Sequence, residues 1–275
     1  MAVKPFLRTY VFDVDHNLST LDRIIFLEKD GEGYECPSRI LTEKLSEWYT
    51  RKNGHMPDAT GNFRDDGIDG VDAFPKFMRE TIEHQAYGPS MDKFVEAVLM
   101  AAPIAVNTAR AHAPSSIQAG IQVLIEGVLI PAQLQQMHDA IRSMGWSTYD
   151  SLSEALHDYL TQQYYICVSE DAFFDANALS STLSSAARKA IAFPAIIEHM
   201  CAIRDKFHGW DKTSMSIGFS DDEKPNISAI VSRWEWHKDA LEAQGIHFVC
   251  YDMSGEREKV RVTRKVMKES YTKND

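Results

Sequence analysis

Five short apolar runs divide this chain of 275 residues, and they constrain its fold more than any other feature. The runs are TYVFDV (9–14), PIAVNT (103–108), YYICVS (164–169), SMSIGF (214–219) and HFVCYD (247–252). Each run is continuously apolar rather than alternating, which is typical of strands that are covered on both faces in a parallel sheet. Helical patterns separate the runs, and this alternation predicts an α/β fold with a doubly wound parallel sheet.

Two of the helical patterns have clear ends. The segment 90–102 begins with a capping serine, Ser90. The segment 193–209 has Pro194 near its start and Gly209 just past its end, which is the usual arrangement of these two residues around a helix. We therefore expect one helix before the second run and another before the fourth.

The composition argues against several classes of protein. The formal net charge is -11 and the pI is about 5.4, so the surface repels nucleic acid and stable binding to it is not expected. The four cysteines are far apart and predict neither a zinc site nor a disulfide framework. The sequence contains no uninterrupted apolar run long enough to cross a membrane. A cytoplasmic protein of a reducing compartment is therefore expected, whereas the oligomeric state is left open.

The segment 20–89 interrupts the alternation of strands and helices. Residues 23–37 predict a hairpin that turns near Asp30 and Gly31, and a Gly- and Asp-rich stretch follows later. Residues 112–160 have mostly helical patterns, which fit either a second cap or a layer that covers the sheet. The polar tail at 256–275 predicts a solvated helix or a frayed end.

Polar side chains follow three of the five runs where each predicted strand ends. They are Asp13 and Asp15 at the end of the first run, Asn107, Thr108 and Arg110 at the end of the second, and Asp221 and Asp222 just after the fourth. The carboxyl ends of parallel strands meet at one edge of the sheet, where ligands bind in doubly wound folds. Crowded carboxylates repel each other unless a cation or a proton lies between them. Mg²⁺ takes oxygen ligands and retains waters that a phosphate can displace, so it is the expected cofactor.

Four segments resemble the motifs of the haloacid dehalogenase-like (HAD) superfamily, whose members are mostly phosphatases. VFDVDHNL (11–18) resembles the first motif, a strand followed by Asp-x-Asp, and IAVNTAR (104–110) resembles the second, a strand that ends in Thr or Ser. Lys189 matches the lone lysine of the third motif, and SIGFSDD (216–222) resembles the fourth, an acidic pair after a strand. The resemblance implies a HAD-like Rossmannoid sheet with a small, mostly helical cap insertion.

The resemblance also implies roles for these residues. Asp13 is the expected nucleophile, which forms an aspartyl-phosphate, and Asp15 is the expected general acid. The carboxylates of Asp13 and Asp221 and the backbone carbonyl of Asp15 are the expected Mg²⁺ ligands. Asp222 is expected either to bind the metal directly or to orient its waters. Thr108 is expected to donate to a phosphoryl oxygen.

Several assignments leave alternatives open. Lys189 is expected to neutralise charge at Asp13, with Arg188, Lys206 and Lys212 as competitors for the motif lysine. Asn107 and Arg110 are expected to bind substrate, although an ordinary salt bridge is the commoner fate of such an arginine. Asn226 is expected to bond Asp222 or a bound water, or to serve the turn after Pro225. His16 and Asn17 replace the family's usual glycine and threonine.

An enzyme that forms an acyl-phosphate needs a cover that excludes bulk water during attack. We therefore expect residues 36–88 to form a cap over Asp13, with residues 1–35 and 89–275 as the core. Arg64, in the Gly- and Asp-rich stretch of this segment, is expected to face the substrate.

The predicted function is hydrolysis of a small phosphorylated metabolite, a phosphomonoester, with Mg²⁺. One alternative is a catalytically weak HAD-like protein that binds a phospho-ligand. Another is a phosphatase that acts on nucleic-acid ends, although the net charge weighs against it.

Overall fold

The computed structural model of the protein describes residues 6–21, 24–29, 32–37, 62–64, 73–110, 112–179, 183–207, 213–254 and 260–262. The strands are β1 (Phe6–Phe12), β2 (Ile24–Lys29), β3 (Glu32–Pro37), β4 (Asn62–Arg64), β5 (Ile104–Thr108), β6 (Tyr164–Cys167), β7 (Ser214–Asp221), β8 (Ile246–Asp252) and β9 (Val260–Val262). The helices are α1 (Ala73–Glu83), α2 (Met91–Leu99), α3 (Pro114–Val128), α4 (Pro131–Ser143), α5 (Leu152–Thr161), α6 (Asp171–Asn177), α7 (Ser185–Lys206), α8 (Lys224–Glu235) and α9 (Lys238–Ala243).

The main sheet has six strands in the order β6-β5-β1-β7-β8-β9. The first five are parallel and coincide with the five apolar runs, so the predicted α/β fold with a parallel sheet is confirmed. β5 is buried at every position, as expected for a strand covered on both faces. β1 lies between β5 and β7, which places its carboxyl end between theirs. The architecture is therefore Rossmann-like.

Helices pack against the sheet from several parts of the chain. α2 contacts β1, α7 contacts β5 and β6, and α8 contacts β7 and β8. The predicted helix at 90–102 is confirmed as α2, which buries Phe94 and Val98. The predicted helix at 193–209 starts too late, because α7 begins at Ser185 and Pro194 lies inside it. Ser184 caps α7 by accepting a hydrogen bond from the Ala187 amide at 3.2 Å.

The segment between β1 and α2 contributes both strands and a helix. β2 and β3 pair antiparallel from Ile24↔Pro37 to Lys29↔Glu32, which confirms the predicted hairpin. β4 pairs with the other edge of β2, so the order of this second sheet is β3-β2-β4. The predicted cap at 36–88 falls largely outside the described residues. α1 also lies within that segment, and its apolar face belongs to the main core.

The helices between β5 and β6 cover the core. α3 packs against α1, α5 and β6, and buries Ile117, Ile121 and Leu124. α5 buries Leu156 and Leu160. Within the predicted polar tail at 256–275, β9 adds a short antiparallel edge strand to β8, and the rest of that tail lies outside the described residues. Within the described ranges, no helix combines the length and apolar character needed to span a membrane.

Candidate functional site

Three neighbouring strands end at one site. Asp13 directly follows β1, Thr108 is the last residue of β5, and Asp221 is the last residue of β7. The Asp13 amide donates a 3.3 Å hydrogen bond to the Ser220 carbonyl oxygen, which ties the end of β1 to the end of β7. The parallel pairing therefore brings together residues that lie far apart in the sequence, as the strand pattern predicts.

Lys189 lies between two of these carboxylates. It is on α7, its side chain is 1% exposed, and its Nζ lies 3.1 Å from Asp13 Oδ1 and 2.8 Å from Asp221 Oδ2. Burial opposes the charge on Lys189, but the carboxylates of Asp13 and Asp221 outweigh it and raise the pKa of Lys189 above its usual value. The ammonium is therefore a fixed positive charge at the ends of β1 and β7.

The other candidates for the motif lysine that the structure describes lie elsewhere. Lys206 is at the far end of α7 and contacts Gln162. Arg188 donates to the Val168 carbonyl and the Ser169 hydroxyl. Lys212 lies outside the described residues.

Asp221 is fully buried and hydrogen-bonded at both oxygens. Its Oδ1 accepts the Glu223 amide at 2.9 Å and the Asn226 side-chain amide at 3.0 Å, and its Oδ2 accepts Lys189. Asn226 therefore bonds Asp221 rather than the expected Asp222, and its own oxygen accepts the Ser185 hydroxyl at 3.3 Å. These contacts fix Asp221 to the starts of α7 and α8.

Three carboxylates form a group that can hold a cation. One oxygen each from Asp13, Asp221 and Asp222 lies within 4.8 Å of the others. Burial raises the pKa of Asp13 well above its ordinary value, and Asp221 and Asp222 add to this effect while Lys189 opposes it. Burial, followed by the charge of Asp221, raises the pKa of Asp222 to about 7.

The oxygen donors of this group are of the kind that bind metal cations. Asp13 Oδ1 is buried, and its contact with Lys189 is not aligned as a hydrogen bond. One ammonium does not neutralise three carboxylates, so a further positive charge lowers the repulsion between them. Oxygen donors of this type suit Mg²⁺ or a similar ion.

The side chain of Asp15 is directed to a different partner. Arg110 Nε donates to Asp15 Oδ2 at 3.0 Å, and Arg110 Nη2 donates to Asp15 Oδ1 at 2.6 Å. The Arg110 guanidinium lies over the Phe77 ring at 4.0 Å and near the Phe74 ring at 5.1 Å. Arg110 therefore forms the salt bridge that the sequence left open as its alternative role, and two aromatic rings of α1 flank it.

Of the other residues predicted for the site, Thr108 and Asn107 lie at the end of β5 and Arg64 lies in β4. Thr108 is fully buried, and its hydroxyl accepts the Arg110 amide at 3.4 Å. Asn107 is also fully buried and donates to the Lys189 carbonyl oxygen at 3.3 Å, so it contacts the backbone of the lysine on α7. The backbone of Arg64 lies in β4, and its side chain lies outside the described part of the structure.

The two residues that depart from the family pattern shape the loop after β1. His16 has a φ of 53°, a left-handed conformation that most residues avoid. Asn17 is fully buried, its Oδ1 accepts the Ser220 hydroxyl at 3.3 Å, and its carbonyl accepts the Ser90 amide at 3.0 Å. Asn17 thus joins the loop to the end of β7 and the start of α2.

The sheet and the site together define a Rossmann-like α/β protein that has carboxylates and a buried lysine at the carboxyl edge of its parallel strands. No protein-family model matches the chain, and neither a curated protein nor a solved structure matches it significantly.

Proposed function

We propose that this protein is a Mg²⁺-dependent phosphomonoesterase that works through an aspartyl-phosphate on Asp13. The observation that carries the proposal is the position of Lys189, which is buried between Asp13 and Asp221 at the ends of adjacent strands. The four motifs that resemble the HAD superfamily provide these residues in the family's order. Small phosphorylated metabolites are the proposed substrates.

Asp13 is the proposed nucleophile. One of its oxygens attacks phosphorus, a new O–P bond forms, and the ester P–O bond breaks. The leaving oxygen takes a proton from the Asp15 carboxyl group. In the second half of the reaction Asp15 takes a proton from a water that attacks phosphorus, which releases phosphate and restores Asp13.

The side chains next to Asp13 would orient the phosphoryl group and neutralise its negative charge. Lys189 balances negative charge on Asp13 and on the phosphoryl oxygens, and its burial strengthens this effect. The Thr108 hydroxyl accepts the Arg110 amide and would donate its own proton to a phosphoryl oxygen.

The acidic group is the proposed place of the metal. Asp13, Asp221 and Asp222, with the backbone carbonyl of Asp15, would hold Mg²⁺. When bound, Mg²⁺ neutralises charge on the phosphoryl group and reduces the repulsion between the carboxylates.

The test is phosphate release from 4-nitrophenyl phosphate with Mg²⁺ and with EDTA. We expect turnover with Mg²⁺ and its loss with EDTA. Asp13→Asn should lose activity by roughly 10³-fold or more, because a carboxamide is not a competent nucleophile. Asp150→Asn is the matched control, since the Asp150 side chain is 89% exposed. Equal rates for wild type and Asp13→Asn would refute the proposal.

One observation favours a second candidate function. Both oxygens of Asp15, the proposed acid, are engaged by Arg110, which suits a protein that binds a phospho-ligand and turns it over slowly. A panel of phosphate esters that includes phosphorylated oligonucleotides separates the candidates. Rapid turnover of any member excludes the binding protein, and activity on oligonucleotides alone would identify an end phosphatase.

A further inference from the structure

Arg110 and Asp15 form a bidentate pair in which the two side chains differ in exposure. Two N–H groups of one guanidinium occupy both carboxylate oxygens, an arrangement that fixes orientation as well as distance. The Arg110 side chain is 4% exposed and the Asp15 side chain is 36% exposed. A substrate that arrives from solvent therefore reaches Asp15 far more readily than Arg110.

Arg110 is fixed through its backbone as well as through its guanidinium. Its amide donates to the Thr108 hydroxyl, and its carbonyl oxygen accepts the Ser169 amide at 3.3 Å. The guanidinium lies 4.0 Å from the centre of the Phe77 ring, which is within the range of a cation–π interaction. Phe77 is itself buried in the core, so the ring is a rigid support.

We propose that Arg110 is a positioning residue that acts through Asp15 rather than on the substrate, and that Phe77 of α1 keeps Arg110 in place. This inference rests on the proposed function, because Asp15 is the group that moves the proton. Its consequence is that α1, which belongs to the segment between β1 and β5, supports the chemistry of the site. Hydrolysis of the aspartyl-phosphate should depend most on the orientation of Asp15, because Asp15 must then face the attacking water.

The kinetic test separates positioning from substrate binding. Rapid-quench assays with 4-nitrophenyl phosphate measure a burst of 4-nitrophenol as Asp13 is phosphorylated, and the later steady rate measures hydrolysis of the aspartyl-phosphate. Arg110→Lys keeps the positive charge but loses the planar guanidinium, whose two N–H groups bind both oxygens of Asp15. We expect it to lower kcat by roughly tenfold or more, to leave the burst rate within about twofold, and not to raise KM.

Phe77 is tested with two substitutions and a control. Phe77→Leu removes the ring and should reproduce the kinetic pattern of Arg110→Lys in weaker form, whereas Phe77→Tyr keeps the ring and should retain the wild-type pattern. Phe248→Leu is the control, since the half-buried Phe248 packs between Phe193 and Trp234 against another part of the core. A raised KM with a slowed burst in Arg110→Lys would show that Arg110 binds substrate and would overturn the inference.

A second readout does not depend on turnover. Solvent exchange of the Arg110 Nε–H, followed by NMR without substrate, should be slow in the wild type and faster by about tenfold in Phe77→Leu and in Asp15→Asn. Exchange in Phe77→Leu that equals the wild-type rate would overturn the role of Phe77. If the wild type released no phosphate from any ester, the proposed function would fail, and the exchange rates would still decide whether Phe77 holds Arg110 on Asp15.

Discussion

Replacement of Lys189 by methionine removes the positive charge that two buried carboxylates share. The methionine side chain has a similar length, so the substitution leaves little empty volume but leaves Asp13 and Asp221 facing each other. Lys189 is 1% exposed, and the Asp13 and Asp221 side chains are 7% and 0% exposed, so water does not replace the ammonium.

The size of the effect follows from the two distances. At 3.1 Å and 2.8 Å, with an effective dielectric constant of about 20, each contact contributes roughly 5–6 kcal/mol before the cost of desolvation. Desolvation of the ammonium offsets several kcal/mol of this sum. Removal of one partner from a buried pair typically costs about 3–5 kcal/mol, and we expect Lys189→Met to lose that much free energy of unfolding at pH 7.

The loss of unfolding free energy in Lys189→Met should increase as pH rises. Burial raises the pKa of Asp13 in the folded protein, so its contribution to stability falls as pH rises through that value. Lys189 opposes the rise, so its removal raises the pKa of Asp13 further. Lys189→Met should therefore lose more stability relative to wild type at pH 8 than at pH 5.5.

Urea unfolding followed by circular dichroism measures the loss of unfolding free energy at pH 7 and its change between pH 5.5 and pH 8. Lys206→Met is the matched control, because Lys206 is on the same helix at an exposed position and should change stability by less than about 0.5 kcal/mol. A loss in Lys189→Met below about 1 kcal/mol, or a loss that does not change with pH, would refute the reasoning about the buried pair.

Two further changes test the surroundings of the site. Burial raises the pKa of Asp222 to about 7, so the stability that this group contributes to the wild type is lost as pH rises from about 4 through 7. Asp222→Asn should therefore flatten the dependence of the free energy of unfolding on pH. Unfolding curves at pH 4.5 and 8 check this, and an unchanged slope would contradict it. Gly88→Ala should destabilise the protein by about 1–3 kcal/mol, because a Cβ there would lie 2.2 Å from the Asn17 carbonyl oxygen. Thermal unfolding measures this loss of stability. Gly218→Ala is the comparison and should lose less, because its Cβ would lie 3.6 Å from the Thr9 carbonyl oxygen.

The five parallel strands were predictable because each is a short, continuous apolar run, whereas no such run marks β4 or β9. The acidic residues at the ends of β1 and β7 were predictable for the same reason, since a strand's end and the parallel pairing define their place. The start of α7 was not, because Pro194 is typical of a first turn and the sequence offered no reason to extend the helix past it. Ala186, Ala187 and Ala190 favour helix, and burial of Phe193 and Ile196 on the two sides of Pro194 offsets the cost of the proline, so α7 runs through it from its cap at Ser184.

The contacts of the site were harder to predict than its members. Arg110 and Asp15 are separated by 95 residues, and their pairing depends on side-chain directions at two loops. The preference of Asn226 for Asp221 over Asp222 depends on the first turn of α8, which no local pattern specifies. Phe77 reads as an ordinary core residue, and only the arginine above its ring distinguishes it.

The place of β1 in the middle of the main sheet has a consequence for how this protein folds during synthesis. The Thr9 hydroxyl donates to the Ser216 carbonyl oxygen across 207 residues, and β1 pairs with β7 along its whole length. Such pairing has a high contact order and closes a very long loop, so it forms late and slowly. Until β7 leaves the ribosome, one edge of β1 has no partner and is exposed to pairing with other chains. Truncations before β7 should therefore aggregate rather than yield a smaller folded unit.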